Sequence, residues 1–294
     1  VRQSPQSALL ADGRRLHLQH GPIDLIVAAY GSRTAIADAY AAASRRFAGL
    51  LDELCDELVL LRAAADPARC RLQGRVAQRM HAAVRPYAAR GFITPMAAVA
   101  GAVAEDILDA MCEAAPLDKA YVNNGGDIAL HLTDGENFAI GLVDRPDRPS
   151  LFGTATLTDR DPSRGIATSG WRGRSFSLGI ADAVTVLART AAAADAAATV
   201  IANAVDLPDH PAVTRVPANA LHCDSDLGAR LVTRDVAPLG SEDIRIALSR
   251  GQACARTLRR EGLIDAAALH LAGVTVLCGG PVRALETSRE PAHA

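Results

Sequence analysis

A carboxylate, a hydroxyl and an amide recur every four residues in AAAADAAATVIANAV, residues 191–205: Asp195, Thr199 and Asn203. On an α-helix that spacing puts all three on one face, with Asp195 nearest the N-terminus. A carboxylate and a hydroxyl one turn apart supply two hard oxygen ligands, which suit magnesium when water or a substrate phosphate completes the octahedron. The same pattern arises where polar residues mark the solvent side of a close-packed alanine-rich helix. Spacing alone leaves both readings open.

Two glycine-bearing stretches offer further chemistry. NNGGDI, residues 123–128, breaks two strand-like runs with Gly125 and Gly126, so backbone N–H groups there can approach a ligand closely, flanked by Asn124 and Asp127. GIATSG, residues 165–170, ends a strand in Thr168, Ser169 and Gly170, hydroxyls and amides able to hold a polar ring or a phosphate. Each stretch is also readable as an ordinary turn or loop. The 8 histidines form no HxH or HExxH pattern, and the 6 cysteines contain no CxxC pair, which argues against zinc, iron–sulfur and dithiol sites.

The elements that must position these residues follow from the hydrophobic pattern. GRRLHLQHGPIDLIVAAY alternates, turns and alternates again, predicting a β-hairpin. One long amphipathic helix is expected from Ser32 to Arg62, a second over GRVAQRMHAAVRPYAARG, and a third in ITPMAAVAGAVAEDILDAMCEAA, with Thr94 as cap and Pro95 in the first turn. KAYVNN, DIALHL, NFAIGLV, TATLT, GIATS and AVTVLA read as strands, with TDGE as a hairpin turn. DLPDHPAVTRVPANALHCDSD reads as an irregular surface insertion. SEDIRIALSRGQACARTLRREG reads as a helix, AALHLAGVTVLC as closing strands, and residues 283–294 as a frayed tail. Helices and strands are segregated rather than alternating, so the fold class is α+β, with a mixed or antiparallel sheet and helices around it.

The order and spacing of these pieces resemble the ApbE-like superfamily, whose characterised members are magnesium-dependent FAD:protein FMN transferases. The resemblance is nearest to a bacterial and archaeal branch of it. TPMAAVAGAVAEDI is similar to that branch's GPMAAVAGAIAE, NNGGDI to its ENGGDI, GIATSG to its CTSSG, and ADAVTV followed by ADAAATVIAN to its closing pair. The resemblance implies an ApbE-like fold over residues 1–294, as one domain or two intimately joined subdomains. It implies Asp195 and Thr199 as magnesium ligands, and a nucleotide pocket lined by Met96 to Ala98, Asn124 to Asp127 and Thr168 to Gly170.

The departures bear on activity. The transferases usually read DLGAIAKGYA where this chain has TPMAAVAGAVA, so Ala100 replaces their lysine. They also carry a histidine in HIxDPxTG, where this chain has WRGRSFSLGIADAV; Arg174 or Arg172 is left there to hold an anion. An arginine cannot serve as a base near neutral pH. The function expected is therefore binding, and modification if the protein is an enzyme, of a flavin- or pterin-like cofactor with an anionic tail. A reduced pterin of the tetrahydromethanopterin type, in one-carbon metabolism, is the ligand the branch implies. A magnesium-dependent FAD:protein FMN transferase is the alternative, and a non-catalytic assembly protein using the small-residue helix from Ala97 to Ala104 as an oligomer contact is the third reading.

Charge narrows the partners. Lys and Arg number 31 against 33 Asp and Glu, a formal net charge of -2, so no basic field exists to hold nucleic acid or anionic lipid. No apolar run reads as a membrane span or leader, and a cytoplasmic protein with a small-molecule partner is expected, with a homo-oligomer left open.

Overall fold

The computed structural model describes residues 4–143, 151–280 and 282–284. The chain opens with β1 (Gln6–Leu9) and the expected hairpin β2 (Leu16–His20) and β3 (Ile23–Tyr30). Helix α1 (Arg33–Asp56) starts at Ser32, whose hydroxyl accepts from the Ala35 N–H at 3.2 Å. The single long helix expected to Arg62 breaks at Glu57 and resumes as α2 (Leu58–Leu61). The Glu57 carboxylate turns instead to the N–H groups of Gln73 and Gly74, both at 2.7 Å, at the start of α3 (Arg75–Ala88).

A 3-10 turn (Pro95–Ala98) then leads into α4 (Val99–Ala114). Thr94 stands before that turn, but its hydroxyl donates to Asp226 and not back to the helix, which corrects the cap expected from sequence. β4 (Lys119–Asn124), β5 (Asp127–Leu132), β6 (Asn137–Val143), β7 (Leu151–Thr158), β8 (Gly165–Ser169) and β9 (Ala183–Ala188) follow. Next come α5 (Ala191–Ala204), β10 (Val213–Pro217), α6 (Ala218–Leu221), β11 (Leu231–Val236), α7 (Ser241–Arg260), the hairpin β12 (Ala266–Leu271) and β13 (Val274–Cys278), and β14 (Val282–Ala284). Arg283 and Ala284, expected in the tail, thus belong to a strand, and residues 285–294 lie outside the described residues.

Nine strands form one sheet in the order β1-β2-β3-β4-β5-β8-β9-β12-β13, antiparallel throughout. Strand alternation gives it two apolar faces. One face packs on the helices through Leu25, Val122, Ala129, Ala167 and Val186, with α4 and α5 against it. The other packs Leu130, Ile166 and Leu187 on Leu142, Phe152 and Leu157 of a three-stranded sheet, β14-β7-β6. The architecture is α+β with helices on one face of an antiparallel sheet, as expected.

Two expectations fail on sheet membership. TDGE does form a turn, with Glu136 N–H bonded to Thr133 O at 3.1 Å, but β5 and β6 enter different sheets and are no hairpin. The stretch expected to be irregular contains β10 and α6, and β10 pairs with β11 as a two-stranded arm. In the small-residue helix, Gly101, Ala102, Val103 and Ala104 are buried, with α5 packed on the helix, while Ala97, Val99 and Ala100 are partly accessible.

Candidate functional site: a carboxylate pair at a parted seam

The β4–β5 hairpin turns through Gly125 and Gly126, at φ 66° and 114°, with Asn124 opposite Asp127. Only residues without Cβ take such angles readily, which accounts for the double glycine. The Asn123 side-chain oxygen accepts the Gly126 N–H at 2.8 Å and fixes the turn. Next to it, β5 and β8 pair only at Ile128–Ile166 and Ala129–Gly165. Beyond that point the strands part, and the Asp127 carboxylate accepts the Thr168 N–H at 3.1 Å where a strand carbonyl would otherwise stand.

Asp195, on the second turn of α5, points toward the same gap. One of its oxygens accepts the Gly101 N–H at 3.0 Å, and the Ala100 amide lies beside it. These are first-turn amides of α4, whose N-cap position is Ala98, a residue with no capping side chain. Asp195 therefore caps a neighbouring helix. Asn124 holds the same helix start from the strand side, donating to Ala100 O at 3.2 Å.

Both acids sit in a recess: part of each residue meets solvent, yet protein surrounds the carboxylates densely. Burial, opposed by the Thr168 N–H, pushes the Asp127 carboxyl from 3.8 up to about 7. Asp195 is raised well above the ordinary range, first by burial and then by the charge of Asp127, against the pull of the Gly101 and Ala100 amides. Two acids from strand and helix thus share a space too poor in counter-charge for both to ionise easily.

Other expected site residues divide. Thr199 is one turn beyond Asp195 and partly accessible, but Asn203 serves the fold, accepting from the Leu178 N–H at 2.9 Å and the Ser177 hydroxyl at 3.2 Å. Met96 and Ala97 are partly accessible on the 3-10 turn that packs on α5, whereas Ala98 is wholly buried in the helix-side core and lines nothing. Ser169 shares the helix-facing side of β8 with Ala167. Thr168 contributes its backbone alone, because its side chain lies on the opposite face and bonds the Thr185 hydroxyl at 2.8 Å. Gly170 is bare for packing: a Cβ there would come 2.4 Å from Asp182 O.

Of the two arginines, Arg172 is committed to Asp182 at 2.7 Å and stacks on Trp171. Arg174 remains at the site, donating to Pro22 O at 3.3 Å and lying over Gly125. The β10–β11 arm, which sequence reasoning missed, reaches both sides of the region. Thr233 N–H bonds Ser177 O at 2.9 Å, while Asp226 takes the Thr94 hydroxyl and the Arg230 guanidinium lies over Phe92. Among the described residues no cluster of three or more His, Cys, Asp or Glu could hold a metal alone. No helix among them is long and apolar enough to cross a membrane.

The chain is 36% identical over 151 residues to a UPF0280 protein of Methanothrix thermoacetophila, covering 49% of this chain and 58% of that one. A UPF0280 protein of Methanopyrus kandleri is 38% identical over 128 residues, 44% of this chain and 48% of that one. The chain thus spans about half the length of the curated relatives it matches. Among solved structures, the apo flavinyl transferase ApbE of Pseudomonas stutzeri has 12% identity and a TM-score of 0.44, covering 94% of this chain and 95% of that one. The flavin transferase ApbE of Vibrio cholerae has 13% identity and a TM-score of 0.36, covering 93% and 96%. The family model described as AbpE bacteria matches residues 7–277, nearly the whole chain. The chain belongs to that family, the ApbE-like branch its motifs resemble.

Proposed function

We propose that the protein binds a flavin- or pterin-like cofactor carrying an anionic tail, and modifies it if the protein is an enzyme, in the tetrahydromethanopterin-linked one-carbon metabolism that its branch implies. The observation that carries this reading is the Asp127–Asp195 pair. Two carboxylates brought together in a protein-lined recess destabilise the fold unless a ligand N–H or a cation meets them. The parted seam and the open glycine turn give a flat polar heterocycle access to them.

Magnesium fits the donor set. Asp195, Asp127 and the Thr199 hydroxyl are hard oxygens, and a cation would offset the burial that raises both acids and the charge of Asp127 that further raises Asp195. Asp195 and Thr199 would hold it, and it would supply charge neutralisation for a ligand phosphate. This chain's own residues do the rest: the Gly125–Gly126 backbone admits the ring, and Arg174 faces the anionic tail.

The second reading, magnesium-dependent FMN transfer from FAD to a protein, is favoured by membership of an ApbE-like family. It needs a group to take the proton of the attacking hydroxyl, and the segment Trp171 to Ile180 holds arginine and hydroxyls but no base. Native mass spectrometry of freshly purified protein, with identification of the released small molecule, separates the readings. A bound flavin or pterin is expected. Stoichiometric FMN labelling of an acceptor peptide, abolished in Asp195→Ala, would replace the first reading by the second.

A further inference from the structure

A second cavity, of about 420 Å³, opens on the other side of the glycine turn. It is lined by His17, Asp24, Ile26, Asn123, Gly125 with Gly126, and Arg174. His17, Asp24, Ile26 and Asn123 alternate along β2, β3 and β4 with Leu16, Leu18, Leu25, Val27 and Val122, all in the helix-side core. The cavity therefore lies on the sheet face opposite α4 and α5, and the glycine turn separates it from the carboxylate recess.

Its polar groups are arranged for an anion. His17 Nε2 lies 2.8 Å from an Asp24 carboxylate oxygen. A carboxylate can only accept, so Nε2 donates and Nδ1 is the ring's free edge. Arg174 is tethered by Pro22 O and forms no ion pair among the described residues, so its guanidinium is not neutralised. The Asn123 oxygen is occupied by the Gly126 N–H, which leaves the Asn123 amide as a further donor. In the doubly protonated ring Nε2–H stays on Asp24 while Nδ1–H is a charge-assisted donor for an anion.

We propose that this cavity is a phosphate subsite, in which Arg174 and the Nδ1 edge of His17 hold a phosphomonoester group and Asp24 positions the imidazole. The assignment rests on the reading above only for the source of the phosphate. That group is either the tail of the ring ligand, reaching across the glycine turn, or part of a separate phosphorylated molecule.

The test uses the full chain labelled with 15N, followed at the His17 imidazole during titration with inorganic phosphate. The expected result is a shift of the His17 ring nitrogens at millimolar phosphate, with binding about tenfold weaker in Arg174→Gln and partly restored in Arg174→Lys. Both side chains lie at the surface, and an unchanged melting temperature verifies that each variant is folded. Asp24→Leu, which removes the acceptor of Nε2–H, should move the 15N shifts of the phosphate-free ring and weaken phosphate binding, and binding as strong as the parent's would overturn the positioning role of Asp24. A His17 ring unmoved by phosphate, or moved equally in Arg174→Gln, overturns the subsite.

Competition assigns the source. Phosphate that displaces FMN but not riboflavin places the tail of the ring ligand in the cavity, and phosphate that binds beside FMN places a second molecule there. If neither flavin binds while phosphate still moves His17, the subsite stands and flavin is removed from the reading above. If FMN binds with His17 unmoved by phosphate, the reading stands and the subsite falls.

Discussion

Glu105 and Asp195 each stand at the start of the other's helix. Asp195 of α5 accepts the Gly101 N–H of the first turn of α4 at 3.0 Å, and Glu105 of α4 lies beside the Thr190 hydroxyl and the Ala192 amide that open α5, which pull its carboxyl down against the burial that raises it. Each acid lies four residues beyond the point where the two helix starts touch, Gly101 against Ala191. The arrangement satisfies an orphan N–H group of α4 and sets each acid against the positive end of the other helix's dipole. It also fixes Asp195, so one residue serves both the helix crossing and the candidate site.

Gly101→Ala is expected to damage that crossing. A Cβ at Gly101 would come 2.3 Å from Ala191 O, and backbone on both sides leaves little room to yield. Overpacking of this kind costs about 1–3 kcal/mol, and urea unfolding of the variant should show it. A variant as stable as the parent would mean the helices part easily.

Stability of the ligand-free protein should fall as pH rises from about 4 to about 7. The folded state keeps the Asp127 proton up to about 7, while the unfolded chain releases it near 3.8, so stability present below 3.8 is lost as pH passes through the folded value. Asp195 shifts in the same direction. Asp127→Asn should flatten this slope and melt higher than the parent at pH 8. Asp195→Asn should do the same while keeping an acceptor for Gly101, whereas Asp195→Ala should lose about 0.5–2 kcal/mol of capping. Thermal melts across pH decide all three.

Magnesium is expected to raise the melting temperature, by an amount equivalent to about 2.7 kcal/mol at a hundredfold excess over its dissociation constant. Because the cation competes with the protons on Asp127 and Asp195, the response should be larger at pH 8 than at pH 6. Asp195→Ala should abolish it. A response unchanged in that variant would remove Asp195 from the metal site.

Gly125→Val and Gly126→Val test the turn. Both positions have positive φ, and at Gly125 a Cβ would also lie 3.1 Å from the Arg174 guanidinium. Binding of the cofactor recovered from the native protein should weaken at least tenfold in variants that keep the parent's circular dichroism. Undiminished binding by a folded double variant would place the turn outside the pocket.

Much of this was legible in the sequence where the constraint is local. β4, β5, β8 and β9 lie at the bounds their alternation and turn residues predict, because glycine, aspartate and proline punctuate each run. The arm formed by β10 and β11 was not, since its strands are only partly buried and their polar composition mimics a loop. Glu57 ends α1 through a contact with residues 73 and 74, which no helical period reveals. In the site, the four-residue ridge was visible but its division of labour was not. Asn203 answers to the loop before β9 and Asp195 to α4, and both assignments depend on tertiary neighbours. The meeting of Asp127 with Asp195, and of His17 with Arg174, likewise joins elements far apart in the chain.

The parted seam beside Asp127 also divides the sheet in time. Five strands from the N-terminal half and four from the C-terminal half meet across two residue pairs, the Leu130 N–H bond to Arg164 O at 2.8 Å and one carboxylate–amide bond. Amide hydrogens along this join, Thr168 above all, should exchange with deuterium sooner than those of β4 or β9 on either side, because opening there breaks the fewest bonds. A molecule seated against Asp127 would close the join and slow that exchange. Thr168 protection would therefore register occupancy by any ligand, coloured or colourless, whatever its chemical class.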